Sequence, residues 1–190
     1  MQRTDILIRS GNYFDFLQPE QSKFTIEDIA YALSNICRFG GHTKEFYSVA
    51  QHSVLASHIV SDPFDKFPAL MHDAAEAFIG DVTKPLKNLL PDLQAIEKRV
   101  EKAVFDQFGI TMPLPKSVKI ADLVLLATEQ RDLMPFHDDT WPSIADVTPL
   151  AMTIEPLGPQ EAYDVFMQRY HELVSDRNLM LSETFCRAVA

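Results

Sequence analysis

Apolar side chains recur every three or four residues along most of the chain, which is the spacing of amphipathic helices. The pattern predicts five helices before residue 135 and a sixth after residue 158. These helices are expected at about residues 26–38, 49–62, 68–80, 92–108, 116–133 and 159–176. The fold is therefore predicted to be all-α, with little sheet.

Capping residues and prolines set the expected helix boundaries. Ser48 suits the N-cap of the second helix, and Pro63 is expected to end that helix. The third helix is expected to start near Pro68 and to run unbroken to residue 80. Asp92 is a candidate cap for the fourth helix, and Pro159 suits the first turn of the last one.

The remaining segments complete a one-domain prediction for residues 1–190, with the functional core at about residues 25–135. A short strand pair can form around Ile6–Ile8 and Tyr13–Phe16, joined by a turn that contains glycine and asparagine. Residues 135–158 are rich in proline and contain the single tryptophan of the chain, which predicts a long loop or cover.

The composition excludes several functional classes. A hydrophobic content of 46% is enough for a packed core in a chain of 190 residues. The net charge of -10 argues against a non-specific nucleic-acid binder, which needs a basic surface. No apolar run approaches the roughly 20 residues of a membrane span. Two cysteines form no disulfide framework and the first residues lack a signal-peptide pattern, so a cytoplasmic protein is expected.

Four residues on three predicted helices form a candidate metal site: His52, His72, Asp73 and Asp122. Imidazole and carboxylate groups bind hard or borderline divalent ions well. Three of the four interrupt faces that otherwise consist of core residues. A buried carboxylate such as that of Asp122 needs a cation or a hydrogen-bond network. Each residue alone is more often structural, so the prediction depends on the set.

Glu76 follows His72 by four residues, and on a continuous helix the two side chains would share one face. In that position Glu76 could handle the proton of a water molecule at the metal. The alternative interpretation is an exposed helix carboxylate.

The order His52, His72-Asp73 and Asp122 resembles the metal-binding pattern of the HD-domain phosphohydrolase superfamily, over about residues 25–135. The resemblance implies a helical bundle in which these four residues hold a divalent metal. Dinuclear members have further histidines between the last two motifs, and residues 74–121 contain none, so one metal ion is implied. Four protein ligands leave room for water in an octahedral shell, which favours manganese, cobalt, iron or magnesium, with zinc as an option.

Within the superfamily, the chain is most similar to bacterial 5'-deoxynucleotidases, which have the pattern HDxxExxxGD followed by PxK. The matching residues are His72, Asp73, Glu76, Gly80, Asp81, Pro85 and Lys87. Arg38-Phe39 matches an arginine–aromatic pair upstream of the first histidine in that branch. The chain departs from the pattern at Thr83-Lys84 and in its long 135–158 segment. Small phage-type deoxynucleoside triphosphohydrolases share the same ligand pattern.

The resemblance implies roles for the residues around the metal. Glu76 would transfer a proton, and Asp81 would orient water or bind the sugar. The candidate substrate-binding residues are Arg38, Phe39, His42, Lys84 and Lys87. The cations among them suit a phosphate, and Phe39 could stack on a base. A turn residue, solvated lysines and a core phenylalanine are the structural alternatives.

Glu129 lies two helical turns after Asp122, on nearly the same face of the predicted helix. One interpretation is a salt-bridge network between helices. The other is that Glu129 holds a metal ligand or Arg38 in place.

The resemblance to this branch implies a small-molecule nucleotide as substrate, and hydrolysis of deoxynucleoside 5'-monophosphates to nucleoside and phosphate as the reaction. One alternative is a deoxynucleoside triphosphohydrolase, which the extra charge of Lys84 mildly supports. Another is a nucleotide-binding sensor that has lost catalysis. The predicted helical faces also allow a homodimer.

Overall fold

The computed structural model describes residues 3–189, with side chains described up to residue 180. The α-helices are α1 (Ile26–Asn35), α2 (Val49–Ile59), α3 (Pro63–Met71), α4 (Glu76–Ile79), α5 (Lys84–Lys87), α6 (Pro91–Phe108), α7 (Lys116–Leu133) and α8 (Pro159–Val189). Strand β1 (Asp5–Leu7) pairs antiparallel with β2 (Tyr13–Asp15). Short 3-10 helices lie at Pro19–Gln21, Arg38–Gly41 and Pro142–Ile144. The predicted all-α class and the short N-terminal hairpin are confirmed.

The main apolar core joins side chains of α1, α2, α3, α4, α6 and α8. Helix α8 packs against α1, α2 and α3. Helix α7 packs against α2 and α3 through a separate buried cluster that contains Val60, Ala69, Val118 and Ala121. As a result, one face of α7 meets the adjacent helices α2 and α3, and the candidate metal site lies at this meeting point.

The boundary between α2 and α3 differs from the prediction. Ser48 caps α2 as expected, because its side chain accepts a hydrogen bond from the backbone N–H of Gln51. However, Pro63 begins α3, and Pro68 lies inside that helix. The carboxylate of Asp62 caps α3, and a proline in the first turn removes no helical hydrogen bond. The predicted start at Pro68 is therefore wrong.

The prediction of an unbroken helix from residue 68 to residue 80 is also wrong. Helix α3 ends at Met71, and the chain turns over residues 72–75 before α4 begins. The small side chains of Ala74 and Ala75 are buried in this turn. Phe78 of α4 stacks on Phe14 of the hairpin with ring centroids 3.8 Å apart. This contact packs α4 against the N-terminal hairpin.

Other predicted boundaries need smaller corrections. Helix α1 ends at Asn35 instead of near residue 38, because the next residue has an extended backbone. Helix α6 begins at Pro91 without a side-chain cap, so Asp92 lies in its first turn and not at the N-cap. Helix α8 continues to Val189, beyond the expected end at residue 176. Residues 135–158 form the expected long connection.

Within the described residues, no helix is both long enough and apolar enough to cross a lipid bilayer.

Phe14→Ala should lower the free energy of unfolding by about 3–5 kcal/mol, because it empties a buried site that α4 packs against. Tyr13 is the matched control, since it precedes Phe14 in β2 and is 49% exposed. Tyr13→Ala should lower the free energy of unfolding by less than about 1 kcal/mol. Urea unfolding followed by circular dichroism measures both values. Equal losses would contradict the packing of the hairpin against α4.

Candidate metal centre

The four predicted ligands converge at one point, although they come from three helices. His52 lies in α2, His72 and Asp73 directly follow α3, and Asp122 lies in α7. His52 Nε2 is 3.3 Å from His72 Nε2, and it is 3.6 Å from Asp122 Oδ1. Asp73 Oδ2 lies 3.5 Å from His52 Nε2 and 3.2 Å from His72 Nε2. The donor atoms of His52, His72 and Asp122 all lie within 4.8 Å of one another, so this group could hold a metal ion.

Hydrogen bonds on the far side of both imidazole rings decide which nitrogen faces the cluster. His52 Nδ1 is 2.6 Å from Glu129 Oε1, and His72 Nδ1 is 2.8 Å from the backbone oxygen of Ala69. A carboxylate and a carbonyl can only accept, so each Nδ1 carries the proton and donates it. In the neutral rings, both Nε2 lone pairs therefore point into the cluster.

The cluster thus brings together acceptor atoms that repel one another unless a proton or cation lies between them. In the metal-free protein a proton fills this role. Burial would lower the pKa of His72, but Asp73 and Asp122 raise it to about 9. Burial would raise the pKa of Asp73, but His72, His52 and Arg38 hold it far below its usual range. Imidazole nitrogens and carboxylate oxygens at these separations also fit a divalent ion.

Glu129 is fully buried and links the cluster to Arg38. One carboxylate oxygen accepts from His52, and the other lies 3.2 Å from Nη2 of Arg38. Nη1 of Arg38 is 3.5 Å from Asp73 Oδ2. Burial would raise the pKa of Glu129, but Arg38 and His52 hold it at about 2. Glu129 therefore stays ionised. The sequence suggested two alternative roles for it, and the structure shows both contacts: an ion pair with Arg38 and a hydrogen bond that orients the candidate ligand His52.

Glu76 begins α4 and is only 7% exposed. Its Oε2 atom is buried and, within residues 3–180, has no hydrogen-bond partner, and Oε1 lies 4.0 Å from Nζ of Lys87. Burial, followed by the charges of Asp73 and Asp81, raises the pKa of Glu76 well above its usual value. The same-face argument from the sequence fails because the helix is interrupted. The turn at residues 72–75 nevertheless brings this carboxyl beside Asp73.

Asp81 lies next to the same group of charges. It is half-buried, and burial raises its pKa although the charge of Arg38 acts in the opposite direction. The like charge of Asp73 raises the pKa of Asp81 further.

The candidate substrate-binding residues divide into two groups. Arg38 is buried beside Asp73, and Lys87 lies between Glu76 and Glu97. Phe39 is half-buried, with its ring centroid 5.4 Å from the Arg38 guanidinium carbon. His42 and Lys84 are exposed, and within the described part of the chain their side chains make no hydrogen bond or ion pair with the candidate ligands. The structure does not bring these two residues to the cluster.

Two residues of the site were missed by the sequence analysis. Tyr47 is fully buried, and burial together with Glu129 raises its pKa well above the usual value. No local pattern marks it. Glu97 of α6 lies 2.5 Å from Nζ of Lys87. The sequence does mark Glu97, because this charged residue interrupts the apolar face of α6 one turn before Val100.

Two curated proteins are similar to the chain over nearly its whole length. The first is the uncharacterized protein YfdR of Escherichia coli (strain K12), 43% identical over 165 residues, which are 86% of this chain and 92% of YfdR. The second is an uncharacterized protein of Rhodobacter capsulatus, 30% identical over 193 aligned positions that cover 92% of this chain and 97% of the relative. No family model matches the chain.

Glu129→Gln should weaken binding of divalent metal by about 10- to 100-fold, because the neutral amide holds His52 and Arg38 less firmly than a carboxylate does. Isothermal titration of the metal-free variant with Mn²⁺ or Co²⁺ measures the affinity. Glu172→Gln, at a half-exposed position of α8, is the control and should leave the affinity unchanged. Wild-type affinity in Glu129→Gln would show that this carboxylate does not support the site.

In EDTA, the thermal stability of the protein should fall as the pH rises from about 6.5 through about 9. The folded state keeps the proton of His72 up to a pKa of about 9, whereas an unfolded histidine releases it near 6.5. The stabilisation is therefore complete below pH 6.5 and is lost above 9. His72→Gln should flatten this slope in melting temperature, and the exposed control His171→Gln should retain it.

Proposed function

The chain belongs to a family that includes YfdR of Escherichia coli, and for this member we propose metal-dependent phosphohydrolase activity on nucleotides. The preferred substrates are deoxynucleoside 5'-monophosphates, which would be hydrolysed to nucleoside and phosphate. The proposal includes membership of the HD-domain superfamily, on the basis of His52, His72-Asp73 and Asp122.

One observation carries the proposal: the candidate metal ligands lie together, with positively charged side chains and the buried carboxyl group of Glu76 beside them. Two imidazole nitrogens face carboxylate oxygens of Asp73 and Asp122 at 3.2–3.6 Å. Arg38 and Lys87 supply positive charge beside them in a protein of net charge -10. Such a group is suited to hydrolysis of an anionic ester.

His52, His72, Asp73 and Asp122 would hold one divalent ion, with manganese, cobalt, magnesium or iron preferred and zinc as an option. A divalent ion supplies a Lewis acid that polarises a phosphoryl oxygen and lowers the pKa of water. Glu129 and the backbone oxygen of Ala69 orient the two imidazoles toward that position.

Arg38 would bind a phosphoryl oxygen. Its two terminal nitrogens lie near Glu129 and Asp73, while its buried Nε atom has no hydrogen-bond partner in the part of the chain that the structure describes. An N–H group buried without a partner is costly, and an anionic oxygen would satisfy it. Glu129 and Asp73 raise the pKa of Arg38 despite its burial, so the guanidinium keeps its charge.

Glu76 would move the proton of the reaction at its Oε2 atom, which has no hydrogen-bond partner among the described residues. A carboxyl group with a raised pKa can donate a proton to a leaving oxygen as well as accept one from water. Asp81 shares the region and would orient water or a sugar hydroxyl. Lys87 is held by Glu97 and lies near enough to Glu76 to respond to its charge.

Among the described residues, few cations lie at the cluster: Arg38 contacts Asp73, Lys87 lies beside Glu76, and Lys119 is already paired with Asp122. The monophosphate is therefore preferred over the triphosphate. Lys84, which favoured the triphosphohydrolase alternative, is exposed and makes no described contact with the candidate ligands. Arg38 and Lys87 match the charge of one phosphate better than that of three. A sensor without catalysis would not need the buried carboxyl of Glu76.

A product assay tests the proposal. The protein is incubated with panels of deoxynucleoside mono- and triphosphates in Mn²⁺, Co²⁺ or Mg²⁺, and phosphate, pyrophosphate and triphosphate are separated. Phosphate release from monophosphates is expected. Triphosphate release would establish the triphosphohydrolase alternative, and tight nucleotide binding without turnover in any metal would favour the sensor.

Glu76→Gln should lower kcat by about 100-fold or more while the protein still binds metal, since a proton-transfer group contributes on this scale. Asp73→Ala should instead abolish metal binding and activity together, because it removes an oxygen that faces both imidazoles. Metal content after gel filtration and steady-state rates separate the two effects. Full activity of Glu76→Gln would remove Glu76 from the mechanism.

A further inference from the structure

A row of three aromatic rings extends from the candidate site into the long 135–158 segment. Phe39 and Trp141 have ring centroids 6.0 Å apart, with their planes tilted by 46°. His137 lies on Trp141 nearly parallel, at 5.8 Å and 12°. Because Phe39 and Trp141 meet at an angle, neither ring fully covers the face of the other. Both residues are only partly buried.

Phe39 is held next to the site by an unusual backbone conformation. Its φ of 56° and ψ of 29° lie in the left-handed region, which is unfavourable for a bulky residue. Strain of this kind persists where the surrounding structure imposes it, often at ligand sites. The conformation leaves the Arg38 guanidinium 5.4 Å from the Phe39 ring centroid. The aromatic row therefore begins one residue away from the proposed phosphate ligand.

The two halves of the long segment are attached differently. The second half is fixed to the helices by hydrogen bonds that the backbone N–H groups of Leu150, Ile154 and Leu157 donate to the side chains of Thr128, Asp132 and Gln51. In the first half, the side-chain hydrogen bond described to the helices is the 3.4 Å contact of His137 with Gln130. A cavity of about 340 Å³ is lined by residues from the end of α7 and from the 135–149 stretch, although the 3-10 helix at Pro142–Ile144 contacts α7 directly.

We propose that Trp141 and Phe39 form the binding surface for the planar base of a nucleotide whose phosphate lies at Arg38. This inference rests on the proposed function and adds how the substrate is selected. Aromatic side chains bind nucleobases by stacking, which tolerates different bases because each has a π-face. Residues 135–141 have one described side-chain hydrogen bond to the helices, so Trp141 can adjust to a base that enters beside Phe39, while the buried Ile144 keeps the following turn against α7. The site therefore selects nucleotides over phosphorylated sugars that lack a base.

Trp141 is the single tryptophan of the chain, so its fluorescence reports on this surface alone. The slow Glu76→Gln variant, loaded with Mn²⁺, is titrated with dTMP, dAMP and 2-deoxyribose 5-phosphate. Both nucleotides should change the emission in a saturable manner, and the sugar phosphate should not. An equal change with all three, or no change with saturating nucleotide, would overturn the proposal.

Kinetics with the otherwise unaltered protein distinguishes stacking from a structural role. Trp141→Ala should raise KM for dTMP and dAMP by about tenfold or more, with a smaller effect on kcat, because loss of stacking weakens binding. It should leave KM for 2-deoxyribose 5-phosphate unchanged. Trp141→Phe should recover most of the affinity for the nucleotides. A similar loss with all substrates would indicate that Trp141 only supports the fold.

The outcome also separates this inference from the proposed function. Nucleotide-dependent emission in a protein that hydrolyses none of the nucleotides would support the base surface and contradict the phosphohydrolase. Phosphate release at equal rates from nucleotides and 2-deoxyribose 5-phosphate, without a change in emission, would support the phosphohydrolase and contradict the base surface.

Discussion

The carboxylate of Glu129 is the buried charge around which the site is organised. A carboxylate that is removed from water costs several kcal/mol unless partners surround it. Here one oxygen accepts from His52 and the other lies beside Arg38, and these partners keep the group ionised. The same two contacts fix the tautomer of His52 and hold Arg38 against Asp73. One buried side chain thus joins α2, α7 and the segment before α2.

The helices position these charges through ordinary apolar packing. Helix α7 rests on α2 and α3 through small and branched residues, so that Asp122 and Glu129, two turns apart, both reach His52. The turn after α3 then adds His72 and Asp73 from the other side. Since the acceptor atoms repel one another, this packing must also oppose that repulsion when neither proton nor cation is present.

The sequence predicted the parts of the fold that depend on local pattern. Helix periodicity located α2 and α7, and the order of His52, His72-Asp73 and Asp122 identified residues that the structure brings together. The break after Met71 was missed because no local pattern marks it, and the helix that follows packs through Phe78 on Phe14, more than 60 residues away in the chain. The pairing of Lys87 with Glu97 was also missed, because it joins α5 to α6 and depends on how these two helices pack. His42 and Lys84 carry suitable chemistry, but their exposure depends on the path of the backbone.

The division of the 135–158 segment has a consequence for how members of this family can diverge. Gln51 precedes His52 in α2, and its amide group contacts the backbone at both Glu155 and Leu157. The second half of the segment is thereby fixed to the helix that carries a candidate ligand, and insertions there would disturb α2. Within the described part of the chain, residues 135–149 make no such hydrogen bond with α2, and they meet the helices at α7 instead. Insertions, deletions and sequence drift in that stretch would not act on α2 through Gln51, so relatives can differ there in length and sequence without moving His52.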